Sequence, residues 1–125
     1  MARREVLDEQ MTAVSQAYRG AAIQEAGDGT HIVSVRLPLC VGWNAASALV
    51  RFLVPIPFPA APPDCFYADP GLRLANGAMP TNTGPQPLAG QQLLWFSWHL
   101  ASWNPARDTL LGYVRFIAER LRRAQ

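Results

Sequence analysis

Apolar residues recur at helical spacing near the start of the chain. Leu7, Met11, Val14 and Tyr18 fall at i, i+4, i+7 and i+11, with Arg3, Arg4, Glu9 and Gln10 off that stripe. This spacing lines one face of an amphipathic helix. Gly20 is placed to end it, because glycine takes the left-handed conformation of a C-cap without steric cost. A short extended piece, 21–25, then meets Gly27-Asp28-Gly29, residues suited to a hairpin turn.

The period next changes to two. Over 31–37, Val33, Val35 and Leu37 share a face while Ser34 and Arg36 point the other way; over 49–54, Val50, Phe52 and Val54 oppose Leu49, Arg51 and Leu53. Both runs predict strands with one face against a core. Their connection is a loop carrying Cys40, Gly42 and Trp43.

The stretch from Pro55 to Pro63 is dense in proline. Each proline fixes φ and removes a backbone donor, which excludes a helix or a central strand. Its interleaved apolar residues favour a rigid packed crossing over a polyproline ligand. A brief strand over 65–67 follows. Residues 68–94 carry Gly71, Gly77, Gly84 and Gly90 with Pro70, Pro80, Pro85 and Pro87, and read as one long irregular loop.

Asn104 suits an N-cap and Pro105 the first helical position. From there Leu110, Val114, Ile117 and Leu121, reinforced by Leu111 and Ala118, make the clearest helical stripe in the chain. The expected architecture is α+β: an N-terminal helix, a four-stranded antiparallel meander, a long loop, and a C-terminal helix packed on the sheet. A chain of 125 residues, half of them hydrophobic, matches one domain spanning 1–125 with a core of its own.

Charge adds little to this picture. The net charge is +2, and the densest basic cluster, Arg120, Arg122 and Arg123, ends the last helix, where cations favour the negative end of its dipole. Nucleic acid is therefore not an expected partner. All eleven basic residues are arginine. Codon usage is the simplest explanation; avoidance of self-modification matters only if the protein handles lysine-directed chemistry. Cys40, Cys65, His31 and His99 lack the paired spacing of a structural zinc site, so no metal and no cofactor are expected. The opening Met-Ala-Arg-Arg-Glu leads into a charged amphipathic segment, not an apolar signal core, and no run has the length of a membrane span. No membrane partner and a cytoplasmic location are the expectation.

Three local signatures share one order. Phe52-Leu53-Val54-Pro55-Ile56-Pro57-Phe58-Pro59-Ala60-Ala61-Pro62-Pro63 resembles the strand-plus-proline segment that precedes the active-site region of the ubiquitin-conjugating superfamily. Trp103-Asn104-Pro105 is similar to the tryptophan-x-proline that opens the helix after that superfamily's catalytic cysteine. Pro63-Asp64-Cys65-Phe66-Tyr67, Asp69-Pro70, Leu72 and Gly77, then Phe96-Ser97-Trp98-His99 and Trp103, resemble the prokaryotic ubiquitin-conjugating-like family lettered E. The resemblance implies a ubiquitin-conjugating fold. It also implies a bacterial pathway whose partners are a ubiquitin-like protein and its activating enzyme.

Such enzymes carry their modifier as a thioester, which needs a reactive cysteine. Counting back about eight residues from Trp103, where the pattern places it, reaches Trp95; counting forward from Gly77 reaches Pro80. The histidine-proline-asparagine signature is also absent, with only Asp69-Pro70 in its neighbourhood. Cys65 falls on a strand and reads as core. Cys40 lies in a loop far from the expected site, with no activating group beside it in sequence.

Ser97 and His99, by contrast, lie close to that site at i, i+2, which puts both on one face of extended chain. They are the candidate catalytic pair, His99 as base for Ser97, with Asp108 available to orient the imidazole. The alternative is a capped turn and a structural hydrogen bond. Candidate binding residues are Trp95, Trp98, Cys40 and Trp43, since tryptophan is enriched in binding hot spots. Two functions follow: a module that binds the modifier or its activating enzyme without a covalent intermediate, or an acyl carrier forming an oxyester on Ser97, less favourably a thioester on Cys40.

Overall fold

The computed structural model describes residues 2–125; Met1, at the head of the charged lead-in, lies outside the described residues. Helix α1 (Arg3–Ala17) is followed by strands β1 (Ala22–Glu25), β2 (His31–Pro38), β3 (Ser47–Val54), β4 (Phe66–Ala68), β5 (Thr83–Leu88) and β6 (Gln91–Phe96), then by helix α2 (Leu110–Leu121). The strands form one antiparallel sheet in the order β1-β2-β3-β4-β6-β5.

The two alternating runs behave as their patterns require. Val33, Val35 and Leu37 of β2 and Val50, Phe52 and Val54 of β3 are all buried on the face covered by the helices. Leu7, Met11 and Val14 of α1 and Leu110, Val114, Ile117 and Leu121 of α2 complete that core. Burying each such side chain contributes roughly 1.5–3 kcal/mol, so this face dominates the stability of the fold. A smaller cluster, Ile32, Leu88 and Leu93, with Leu53 and Tyr67 against it, gathers residues of opposite parity on the sheet.

The sheet has six strands and not four, and the difference lies in 68–94. Residues 83–96 form a hairpin across Ala89 and Gly90, both at positive φ, with Thr83 paired to Phe96 and Leu88 to Gln91. Pro85 and Pro87 sit in β5 because it is an edge strand. An edge needs only one set of backbone partners, so a missing N–H on the free side costs nothing there. Residues 69–82 remain irregular and are tied down by polar contacts: Asp69 Oδ2 accepts from Leu49 N at 3.2 Å, and Asn44 Oδ1 accepts from Arg73 N at 2.9 Å.

The last helix also starts later than its sequence suggests. Asn104 caps one isolated turn: its Oδ1 accepts from Ala106 N at 3.0 Å, and its own N–H donates to Asp108 Oδ2 at 2.7 Å. Thr109 then returns to extended backbone and becomes the N-cap of α2, accepting from Gly112 N at 3.2 Å. Gln10 of α1 supplies a further acceptor for Leu110 N at 2.8 Å. A tertiary partner thus fixes where the helix begins.

The proline segment is a packed crossing, as its apolar residues suggest. Phe58 is buried with its ring 6.0 Å from that of Trp103, whose indole N–H donates to the Pro59 carbonyl at 2.8 Å. Among the described residues no helix is long and apolar enough to cross a membrane.

Candidate active site at the end of strand six

Strand β6 ends at Phe96, and residues 97–100 continue as irregular chain beside the entry to β4. Two backbone bonds hold this segment. Ser97 N donates to Asn82 O at 2.9 Å, and Cys65 N donates to Trp98 O at 3.1 Å. The second bond brings Asp64 and Cys65 alongside His99, residues that no local pattern joins.

The resulting contacts form a chain of three side chains. His99 Nδ1 lies 2.7 Å from Asp64 Oδ1, and His99 Nε2 lies 3.1 Å from Ser97 Oγ. A carboxylate beside Nδ1 favours the tautomer carrying its proton there, leaving the Nε2 lone pair to accept from the serine hydroxyl. This is the nucleophile–base–orienter logic of acyl-transfer sites. The side chains of His99 and Asp64 are 60 % and 67 % exposed, so the pair is open to solvent.

Asp108, the orienter suggested by sequence, is not the partner of His99; it accepts from Asn104 N. Asp64 takes that place from 35 residues away in the chain. Its sequence marks are its place after paired prolines and within the Pro63–Tyr67 signature, neither of which points to His99.

Cys65 is buried, as expected for a core cysteine, but it also belongs to this corner. Its Sγ lies 3.8 Å from His99 Nδ1. Its φ of 59° places it in the left-handed region, which a non-glycine residue enters only when its surroundings hold it there. The holding bonds are visible: Trp98 O accepts its N–H, and the buried Tyr113 hydroxyl donates to its carbonyl at 2.8 Å. Burial pushes the Cys65 thiol up, and the nearby Asp64 carboxylate raises it further, against a lowering hydrogen bond from the Trp98 backbone. A thiol so placed, with no metal bound to it, is a poor nucleophile. Burial also raises the Tyr113 phenol strongly, keeping it a neutral donor.

The remaining candidates separate. Trp95 is half-buried and pairs with Tyr67 and Gly84 within the sheet. Trp98 packs on the core, its ring stacked on Phe116 at 5.5 Å, and its indole N–H is buried without a hydrogen-bond partner among the described residues. Trp43 is buried and donates to Leu121 O at 2.8 Å, so it has no surface to offer a partner. Cys40 is exposed as a free thiol near the end of α2, 3.4 Å from Arg122 O, and does not join the Ser97 corner.

Arg120, one of the three arginines that end α2, has no sequence mark of a site, yet it is buried under the aromatic side of this corner. Its guanidinium lies 5.3 Å from the Phe96 ring and 5.9 Å from the Trp98 ring. It donates to the carbonyls of Thr81, Arg123 and Gln125 at 3.2, 3.0 and 2.9 Å. By holding Thr81 it fixes the neighbour of Asn82, the residue that accepts from Ser97 N.

No curated protein and no solved structure matches the chain. The family model of Prokaryotic E2 family E matches residues 9–124, a span that contains all six strands, α2 and the whole Asp64–His99–Ser97 corner. The chain therefore belongs to this prokaryotic ubiquitin-conjugating-like family.

Proposed function

We propose that this conjugating-enzyme-like protein accepts the C-terminal acyl group of a ubiquitin-like protein as an oxyester on Ser97. The observation that carries this reading is the hydrogen-bonded chain from Asp64 through His99 to Ser97. The donor is the thioester that an activating enzyme forms with the modifier. Ser97 Oγ adds to the thioester carbonyl as its proton passes to His99 Nε2, and Asp64 stabilises the imidazolium. Collapse of the tetrahedral intermediate breaks the C–S bond, and His99 returns the proton to the departing thiolate. The positions around the corner hold no exposed cysteine to serve instead.

A second reading is a module that binds the modifier or the activating enzyme without covalent chemistry. It is favoured by the placement of the two cysteines, one buried and one beside α2, which leaves the customary thioester without a carrier. Location in the cytoplasm and action as a single domain belong to both readings.

Incubation with an activating enzyme, a ubiquitin-like protein and ATP separates them. The expected product is an adduct that survives thiol reductant, is cleaved by hydroxylamine, and disappears in Ser97→Ala. A stable complex with no adduct, or an adduct retained by Ser97→Ala, overturns the carrier reading.

A further inference from the structure

Asp64, Cys65 and His99 place one oxygen, one sulfur and one nitrogen donor within 4.8 Å of one another. Adjacent residues of extended chain point to opposite faces. Here the left-handed φ of Cys65 breaks that alternation, so that Asp64 and Cys65 both reach His99 Nδ1. The backbone of Cys65 is held at both ends, by Trp98 O and by the Tyr113 hydroxyl, so the Cα–Cβ bond that carries its thiol is set before any ligand arrives.

We infer that these three side chains form a binding site for a single divalent transition cation of the zinc class. Tetrahedral zinc takes ligands at about 2.0–2.3 Å, which sets neighbouring donors roughly 3.3–3.8 Å apart. The Sγ–Nδ1 separation of 3.8 Å already meets this requirement. The Nδ1–Oδ1 contact of 2.7 Å is a hydrogen bond that opens when the metal replaces its proton. Exposed Asp64 is free to make that movement by rotation of its side chain. Mixed sulfur, nitrogen and carboxylate donors suit zinc or cobalt and exclude magnesium and calcium, which take oxygen. Three protein ligands leave the fourth position for water, the pattern of an open zinc site.

Occupancy has a consequence for Ser97 that rests on the acyl-carrier reading. A metal on Nδ1 forces the imidazole proton onto Nε2. Nε2–H then donates to Ser97 Oγ and no longer accepts its proton. Zinc thereby silences His99 as a base, while Ser97 stays in place.

Titration of the Cys40→Ser chain with cobalt(II) chloride tests the site, since Cys65 is then the remaining thiol. The expected result is one cobalt per chain, with a thiolate-to-cobalt charge-transfer band that zinc chloride displaces. His99→Ala, exposed and compatible with folding, should weaken affinity at least about tenfold, with a similar loss in Asp64→Asn. Cys65→Ser should lose the charge-transfer band; Ser97→Ala should keep it.

Absence of the band, or its survival with unchanged affinity in His99→Ala, overturns the metal site whatever Cys65→Ser does to folding. Adduct formation is read separately. A cobalt spectrum without any Ser97 adduct supports the site and removes the carrier reading. An adduct unaffected by saturating zinc overturns the silencing.

Discussion

The two histidines of the chain occupy opposite kinds of place. His31 begins β2, is 7 % exposed, and accepts a hydrogen bond on Nδ1 from Arg3 at 3.2 Å. His99 lies beyond the end of β6, is largely exposed, and has a carboxylate on Nδ1 and a hydroxyl on Nε2. In the first, burial and the Arg3 guanidinium favour the neutral form, outweighing the Glu25 carboxylate 4.0 Å from Nε2. In the second, a carboxylate at one ring nitrogen and a hydroxyl at the other make the arrangement on which the Ser97 proposal rests. Residue type alone therefore says little; burial and the groups placed at the two ring nitrogens distinguish the two.

The strongest way to break this contrast is to remove each ring. His99→Ala should lower Ser97 adduct formation by roughly 10²–10⁴-fold, the usual worth of a general base, with thermal unfolding nearly unchanged. A comparable rate in His99→Ala would end its assignment as base. His31→Ala should behave in reverse, costing roughly 1–3 kcal/mol in denaturant unfolding because it removes a buried ring and one of the two acceptors of the Arg3 guanidinium, while leaving adduct formation intact.

Next in size, Arg120→Met should cost about 1–3 kcal/mol, since it removes the guanidinium that ties the Thr81 carbonyl to those of Arg123 and Gln125. It should also slow Ser97 chemistry by loosening the 81–82 segment, which urea unfolding and single-turnover assays read separately. Tyr113→Phe removes one buried hydroxyl bond to Cys65 O and should cost roughly 1–2 kcal/mol. If Tyr113 holds Asp64 and Cys65 in position, cobalt affinity should fall as well.

The smallest effect is in pH. His31 titrates below its ordinary value of 6.5 in the folded protein, because of burial first and Arg3 second. Between the folded and unfolded values the unfolded chain binds more protons, so stability rises with pH in that window. Its contribution is full above about pH 6.5 and is lost as pH falls toward the depressed folded value. Unfolding midpoints measured from about pH 7.5 down to about pH 5.5 should show this slope, and His31→Gln should flatten it. An unchanged slope in the variant would assign the dependence to another group.

Where a helix or strand buries one face, the periodicity of the chain is sufficient to reveal it. The stripes of α1 and α2 and the alternation of β2 and β3 were therefore readable, and so was the packed character of Phe58 among its prolines. The β5–β6 hairpin was not, because an edge strand tolerates Pro85 and Pro87 and shows no alternation strong enough to oppose them. Asn104 misplaced the start of α2 for a different reason. A single turn and a full helix use the same cap, and only contacts with Gln10 and Thr109 choose between them.

The sequence by itself determined the element types with a buried face, the family resemblance, the missing cysteine, and the i, i+2 placement of Ser97 and His99. Only the tertiary structure decided what surrounds that pair. Asp64 and Cys65 reach His99 through a hydrogen bond between the backbones of Cys65 and Trp98. Such a bond depends on which strands are neighbours and in what register. Sheet neighbourhood is a property of the folded chain, and no spacing rule along residues 64–99 encodes it.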